Sequence, residues 1–344
     1  MRNWQLSVDE LPDPVPGPGQ ALTRVLACGI CGSDLHLLLH GEEQLRLGAE
    51  LAQGQPVSEP RMIPFTGSEP VVMGHEFCCE VVEPGPGCTN LRAGDIVVSL
   101  PVAFDAAGLH ALGYSNVYPG GYADLLVVND AIAMKVPNGL DPRLASLTEP
   151  LAVGIHAVAK SRIAPGDAAV VLGCGPVGLA VIAALALQGI GPIIAADFSP
   201  KRRALALHLG AHEVVDPRET PAIEAWRRVD GAKPLVVFEA VGVPGMLDTA
   251  MRMAPRDSRI LVVGVCMQPD QIFPMAGIRH ELNIQFALAY DPLEFASSLA
   301  AIAEGTVDLA PLLTGSVDVD GVAQAFDDLA NPEAHAKILV EPRQ

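Results

Sequence analysis

The feature that most constrains the fold is the run Ala168-Ala169-Val170-Val171-Leu172-Gly173-Cys174-Gly175-Pro176-Val177-Gly178. Its five leading apolar residues read as a strand buried on both faces. The glycines make a tight turn, and the apolar stretch from Val177 to Gln188 reads as a helix. More strands follow at Ile193 to Asp197, Leu235 to Glu239 and Arg259 to Gly264, with a helix from Pro200 to Leu209 that ends at Gly210. Continuous apolar strands alternating with helices mean a parallel sheet covered on both faces.

The turn itself carries chemistry. Glycine at Gly173, Gly175 and Gly178 allows the tight turn, close approach of backbone to a pyrophosphate, and close helix–strand packing. The helix start at Pro176 and Val177 offers N–H groups and partial positive charge to phosphates. Asp197 stands about 20 residues on, at the end of the second strand, where it would accept hydrogen bonds from ribose hydroxyls and repel a 2′-phosphate. That favours NAD over NADP, although Lys201 and Arg202 nearby are a basic pair that could serve a phosphate. Val241 and Val263, associated with the two later strands, complete the candidate cofactor set.

The N-terminal part has another texture. Pro12 to Gly19 is an extended connector, because proline fixes φ and removes donors. Ala21 to Ala27 reads as a strand. It runs into the turn Cys28 to Asp34, where a helix starts with Ser33 or Asp34 as N-cap. From His40 to Val72 comes a long polar and leucine-bearing segment, a short helix and then a loop, whose tip would cap a cleft or join an oligomer interface. Short strands at Phe77 to Glu83, Ile96 to Val98 and Leu125 to Val128, punctuated by Gly and Pro, suggest an all-β, barrel-like domain. After about Tyr290 come a helix begun by Asp291-Pro292, a helix near 321–329 and a strand at Lys337 to Val340. This tail is assigned to the first domain, giving domains at 1–153, 154–290 and a returning 291–344.

Composition excludes several classes. The 344 residues are half hydrophobic, yet no apolar run reaches the roughly 18 residues of a membrane span, and Val177 to Gly189 is too short. Met1-Arg2-Asn3-Trp4 opens no signal peptide, so a cytoplasmic protein without membrane contact is expected. A net charge of −18 argues against nucleic acid. The 7 cysteines are irregularly spaced, which suits metal ligands or buried small side chains better than disulfides.

Four residues could hold a metal: Cys31, His75, Glu76 and Glu149. A thiol, an imidazole and carboxylates are what zinc takes when one position stays open for a substrate. Taken singly, each has a commonplace reading as a core or surface side chain. Their joint pattern does not. Cys31-Gly32-Ser33-Asp34-Leu35-His36, Gly74-His75-Glu76, Glu149-Pro150-Leu151-Ala152-Val153-Gly154 and Gly173-Cys174-Gly175-Pro176-Val177-Gly178 together resemble the zinc-dependent medium-chain alcohol dehydrogenases, in the family's order and over nearly the whole chain.

The resemblance implies a Rossmann doubly wound parallel sheet plus a discontinuous β-rich GroES-like catalytic domain. It implies that Cys31 and His75 bind one catalytic zinc ion per chain. Glu76 and Glu149 remain alternatives for the third ligand. An acid at Glu149, where many members have cysteine, is similar to the polyol, threonine and secondary-alcohol branch. Asp34 matches the carboxylate that orients the ligand histidine, and Ser33 and His36 match a proton relay. Cys78, Cys79 and Cys88 lack the clustered spacing of the family's structural zinc lobe, so no structural zinc is expected. The expectation is reversible oxidation of an alcohol, secondary or polyol-like, to a ketone with hydride transfer to NAD, in a homodimer or homotetramer. The alternatives are a zinc-independent quinone or enone reductase of the same superfamily and a non-catalytic dinucleotide-binding protein.

Overall fold

The computed structural model describes residues 1–53, 61–331 and 333–342. The chain forms two compact units. One holds Met1–Glu149, Leu313–Ala330 and the chain from Lys337; the other holds Pro150–Leu312 and Asn331–Ala336.

The first unit is built on Gln20–Gly29, a ten-residue strand buried along most of its length. It pairs antiparallel with Glu76–Pro84, Leu125–Asn129 and Lys337–Val340. Two register shifts against Glu76–Pro84, after Leu22 and after Val25, bend the strand so that it serves several partners. Ile96–Ser99 and Ala133–Lys135 extend the sheet on one side and Leu313–Val317 closes the other. Val25, Leu37, Phe77, Val97, Leu126 and Ile338 lie in one apolar cluster beneath it.

The returning segment is shorter than expected. It begins at Leu313, not at 291, and the front boundary falls at Glu149, not at 153. The helix Pro292–Ala303 belongs to the second unit, and Phe295, Ser298, Leu299 and Ile302, spaced on one of its faces, are buried. Glu294 also reaches His156 on the helix Thr148–Ser161, with Oε2 2.7 Å from Nδ1.

The helix after Cys31 also differs from expectation. It runs over Gly32–Ala52 as two helical stretches that meet at a kink, with non-helical backbone at His40 (φ −132°, ψ 18°). Its N-cap is Cys31, not Ser33 or Asp34. Asp34 sits three residues inside and returns Oδ2 to the Cys31 N–H at 2.9 Å, a capping-box arrangement that starts the helix earlier. The tip of the 40–72 segment lies at 54–60, outside the described residues.

The second unit is a six-stranded parallel sheet. Its spatial order is Glu213–Val215, Ile193–Ala196, Ala168–Leu172, Leu235–Glu239, Arg259–Val262, Asn283–Phe286. Numbered along the chain this is 3-2-1-4-5-6, the doubly wound order in which ligands bind beyond the carboxyl ends of strands 1 and 4. Every residue of those two strands is buried. The edge strand Asn283–Phe286 is mostly exposed, so it lacks the apolar run that marks the inner strands. No helix among the described residues is long and apolar enough to cross a membrane.

Candidate active site

In the first unit the ends of two neighbouring strands and one helix start converge. Gly29 and Glu76 are register partners, and the helix opens at Cys31 just beyond. Ligand atoms of Cys31, His75 and Glu76 all lie within 4.8 Å of one another. Donors around a tetrahedral zinc ion stand about 3.3–3.8 Å apart, given bonds of about 2.0–2.3 Å, so small side-chain adjustments close the set. Thiol, imidazole and carboxylate fit zinc by donor chemistry as well. This is the one such group of three or more among the described residues. Glu149 is nearly buried at the first turn of the helix Thr148–Ser161 and falls outside that group, although its charge is felt by Lys337.

A hub organises the ligands. Asp34 is wholly buried, and its Oδ2 accepts from the Cys31 N–H at 2.9 Å and from the Tyr122 hydroxyl at 2.7 Å. Its Oδ1 faces His75 Nδ1 at 3.4 Å, an ion-pair contact and not a well-aligned hydrogen bond, and neither atom has a hydrogen-bond partner. Burial pushes the Asp34 carboxyl up, but His75, Tyr122 and the Cys31 amide outweigh it and hold the group below the usual carboxylate range. Burial likewise pushes the His75 imidazole down, and the Asp34 carboxylate outweighs it and raises the group well above its ordinary value. With Nδ1 turned to Asp34, Nε2 is left for a metal. Ser33 Oγ stands 3.3 Å from that nitrogen. His36, three residues further along the helix, is half-buried and stacks near His40 with ring centroids 6.1 Å apart.

Lys337 was missed as a site residue in the sequence. Its side chain is 1% exposed, and its Nζ sits 2.7 Å from each Glu76 oxygen and 3.0 Å from the Ile30 carbonyl. Burial lowers the ammonium, but the Glu76 carboxylate more than offsets it, so Lys337 stays charged. A carboxylate has about four lone-pair sites, so Glu76 can hold Lys337 and still face a metal. A lysine inside the apolar terminal strand Lys-Ile-Leu-Val was the available signal, since lysine is almost never fully buried unless paired. Cys78 and Cys79 lie in the sheet opposite Val98 and Val97, and burial raises the Cys79 thiol to about 12, so these are core side chains.

In the second unit the glycine-rich turn has the expected form. The helix Pro176–Leu187 follows with Gly175 as N-cap. A Cβ on Gly178 would lie 1.9 Å from the Gly173 carbonyl oxygen, so only glycine permits this closeness of turn and helix. Val177 follows Pro176 in the first turn of the helix. Asp197 Oδ2 accepts from the Cys174 N–H at 2.7 Å and Oδ1 from the Ser199 N–H at 2.8 Å. The acid thus braces the turn while keeping lone pairs for a ribose. Arg202 Nη1 reaches towards Gly175, and its buried Nε has no hydrogen-bond partner. Val241 is exposed and lies beside Gly173; Val263 is buried and donates its N–H to the Glu239 carbonyl at 2.9 Å. Glu239 itself accepts from the Val241 and Gly242 N–H groups at 2.7 and 3.0 Å, shaping the turn after strand 4. These groups surround the switch point and fit a dinucleotide.

Replacing Lys337 with Met leaves Glu76 as an uncompensated buried charge. The metal-free protein should lose about 3–5 kcal/mol of stability, and added zinc should restore part of it. Denaturant unfolding of both proteins with and without zinc checks this. A Lys337→Met protein as stable as wild type without metal would show that the pair is not what holds Glu76.

The alcohol dehydrogenase GroES-like domain model matches residues 17–138, and the zinc-binding dehydrogenase model matches residues 176–304. (R,R)-butanediol dehydrogenase of Bacillus subtilis (strain 168) is 33% identical, over 98% of this chain and 96% of that protein. Sorbitol dehydrogenase of the same organism is 26% identical, over 99% and 95%. The crystal structure of 2R,3R-butanediol dehydrogenase from Bacillus subtilis superposes with a TM-score of 0.82 at 31% identity, covering 100% of this chain and 98% of that one. Likeness of this degree along the full length agrees with the thiol–imidazole–carboxylate group and the doubly wound sheet: the chain belongs to the zinc-dependent medium-chain alcohol dehydrogenases.

Proposed function

We propose that this enzyme reversibly oxidises a secondary hydroxyl of a small diol or polyol to the ketone, with NAD as hydride acceptor. The observation that carries the reading is the grouping of Cys31, His75 and Glu76 within 4.8 Å, with the Ser33 hydroxyl 3.3 Å from His75. A zinc-independent reductase or a pure binding protein has no use for that set. The diol and polyol class follows the butanediol and sorbitol dehydrogenases that the chain resembles.

Cys31, His75 and Glu76 would hold the zinc ion, with Glu149 as the competing acid. When bound, the ion supplies Lewis acidity towards the substrate oxygen and the dinucleotide supplies the hydride acceptor. The chain's own residues handle protons and orientation. Ser33 accepts the substrate hydroxyl proton as it gives up its own to the relay. His36, one helical turn on and half-exposed, delivers it to solvent. Asp34 fixes the His75 ring, and Tyr122 fixes Asp34. The Asp197 carboxylate disfavours a 2′-phosphate, which supports NAD. Seven cysteines, none paired, suit a reducing cytoplasm.

A second copy of the chain fits the open edge of the parallel sheet. The edge strand Asn283–Phe286 exposes Phe286, and Phe273, Met275, Ile278 and Leu288 are exposed around it. An uncovered apolar edge invites pairing with its twin about a two-fold axis.

Turnover on a panel of vicinal diols, polyols, 3-hydroxy amino acids and apolar secondary alcohols, with NAD or NADP and with zinc measured, tests the reaction. Zinc removal or Cys31→Ser should cut turnover at least about 10²-fold, since several kcal/mol of charge stabilisation go with the ion; activity surviving full removal ends the proposal. The relay needs neutral His36. Burial and then the His40 charge lower its pKa below 6.5, so it stays neutral to lower pH. The acid limb of kcat/KM for oxidation should therefore lie below pH 6.5 and move up in His40→Gln; a limb unmoved in both His40→Gln and His36→Gln would remove His36 from the relay. Sedimentation should give at least twice the chain mass, and Ile278→Asp should shift it towards monomer. A monomeric wild type would rule out the edge pairing.

A further inference from the structure

Asp197 stands among cations. Lys201, Arg202 and Arg203 follow it within six residues, and Arg218 reaches the same loop from the next strand. So much positive charge beside a ribose acid would by itself suit a 2′-phosphate. Two of the four are engaged elsewhere: Lys201 Nζ donates to the Glu333 carbonyl at 2.6 Å, and Arg202 turns towards Gly175. The other two converge on one carboxylate, Asp216.

Strand register puts Asp216 there. Val215 pairs with Ala196 in the parallel sheet, so Asp216 and Asp197 leave neighbouring strand ends together. The Asp216 side chain is 6% exposed. Its Oδ1 accepts from the Arg218 amide at 3.0 Å and from Arg218 Nε at 2.8 Å. Its Oδ2 accepts from Arg218 Nη2 and, at 3.2 Å, from Arg203 Nη1. Arg218 thus grips the carboxylate with both arms of its fork. Those hydrogen bonds hold the Asp216 carboxyl well below the usual carboxylate range, so it keeps its charge. The same guanidinium groups cap the loop that begins at Asp197. Arg203 Nη1 donates to the carbonyls of Asp197 and Phe198 at 2.7 and 2.9 Å, and Arg218 Nη2 to that of Phe198 at 3.1 Å. The Arg218 guanidinium carbon also lies 5.0 Å from the centre of the exposed Phe198 ring.

We propose that Asp216 is a positioning residue that sets cofactor specificity: it holds the Arg218 guanidinium against the loop backbone and so withholds from a 2′-phosphate the cation that would neutralise it. An arginine fork fits a phosphate as well as a carboxylate, so the two compete for it. Arg203, 20% exposed and bound to two backbone carbonyls, is fixed in place. Arg218, 63% exposed, is the arm that can turn outwards when the Asp216 charge is gone. Asp197 repels a 2′-phosphate directly, and Asp216 acts one step behind it. The inference rests on the reading that Asp197 faces the adenosine ribose of NAD.

The test compares kcat/KM for NADP and for NAD in the zinc-loaded enzyme. Asp216→Asn keeps an oxygen for the Arg218 amide and removes the charge. It should raise the NADP-to-NAD ratio about tenfold, the worth of one charge-assisted hydrogen bond to phosphate, through KM for NADP and with kcat unchanged. Arg218→Met in that background should return the ratio to its wild-type value. Asp216→Glu, which keeps the charge, should stay at the wild-type ratio, and Arg218→Met alone should leave NADP use as it was. A ratio unmoved in Asp216→Asn, a gain that survives the loss of Arg218, or an equal gain in Asp216→Glu overturns the inference. A fall in NADP use in Arg218→Met alone also overturns it, because the arginine would then already meet the phosphate. That variant keeps Asp216, so it decides the matter even where Asp216→Asn fails to fold. A wild type that takes NADP as readily as NAD overturns the NAD reading itself.

Discussion

The buried pair between Glu76 and Lys337 is the interaction on which the catalytic unit depends. It joins the motif that carries His75 to the terminal strand, 261 residues away along the chain. Two charges taken out of water are tolerated only when each is fully matched. Here both carboxylate oxygens meet one ammonium, which also donates to the Ile30 carbonyl. The pair therefore demands that Lys337–Val340 return to the edge of Gln20–Gly29, and the discontinuous domain follows from that demand.

Around this pair the site is assembled from backbone as much as from side chains. Asp34 closes the start of its own helix through the Cys31 amide and spends its other oxygen on His75. One carboxylate thus fixes the thiol ligand's position and the imidazole's orientation together. Tyr122 holds Asp34 in turn, and the same stretch clasps the backbone of 72–74. A site braced this way leaves only small side-chain adjustments for the metal to impose, which suits catalysis by preorganised groups.

The dinucleotide unit works by a different economy of contacts. Its turn is held by backbone closeness, with Gly178 against the Gly173 carbonyl and Asp197 bracing the Cys174 amide. Glu239 does the same for the turn after strand 4. Two buried or half-buried acids therefore shape the rim of the crevice through main-chain amides and leave the helix N-terminus of Pro176–Leu187 open towards phosphate.

Much was legible in the amino-acid order alone. The alternation of apolar strands and helices, the glycine spacing after Leu172 and the ligand types at Cys31 and His75 are local signals, and each names its own element or chemistry. What was not legible depended on partners distant in sequence. The helix Pro292–Ala303 falls in the second unit and not the first, and the N-cap shifted to Cys31 because Asp34 reached back to it. Lys337 and Tyr122 entered the site only through strand register and loop contacts. The sequence by itself determined the two kinds of unit, the dinucleotide turn and the metal-capable residues. The tertiary structure alone decided which acid faces which cation and which hydroxyl holds Asp34, because periodicity reports that a side chain is buried but not what it is buried against.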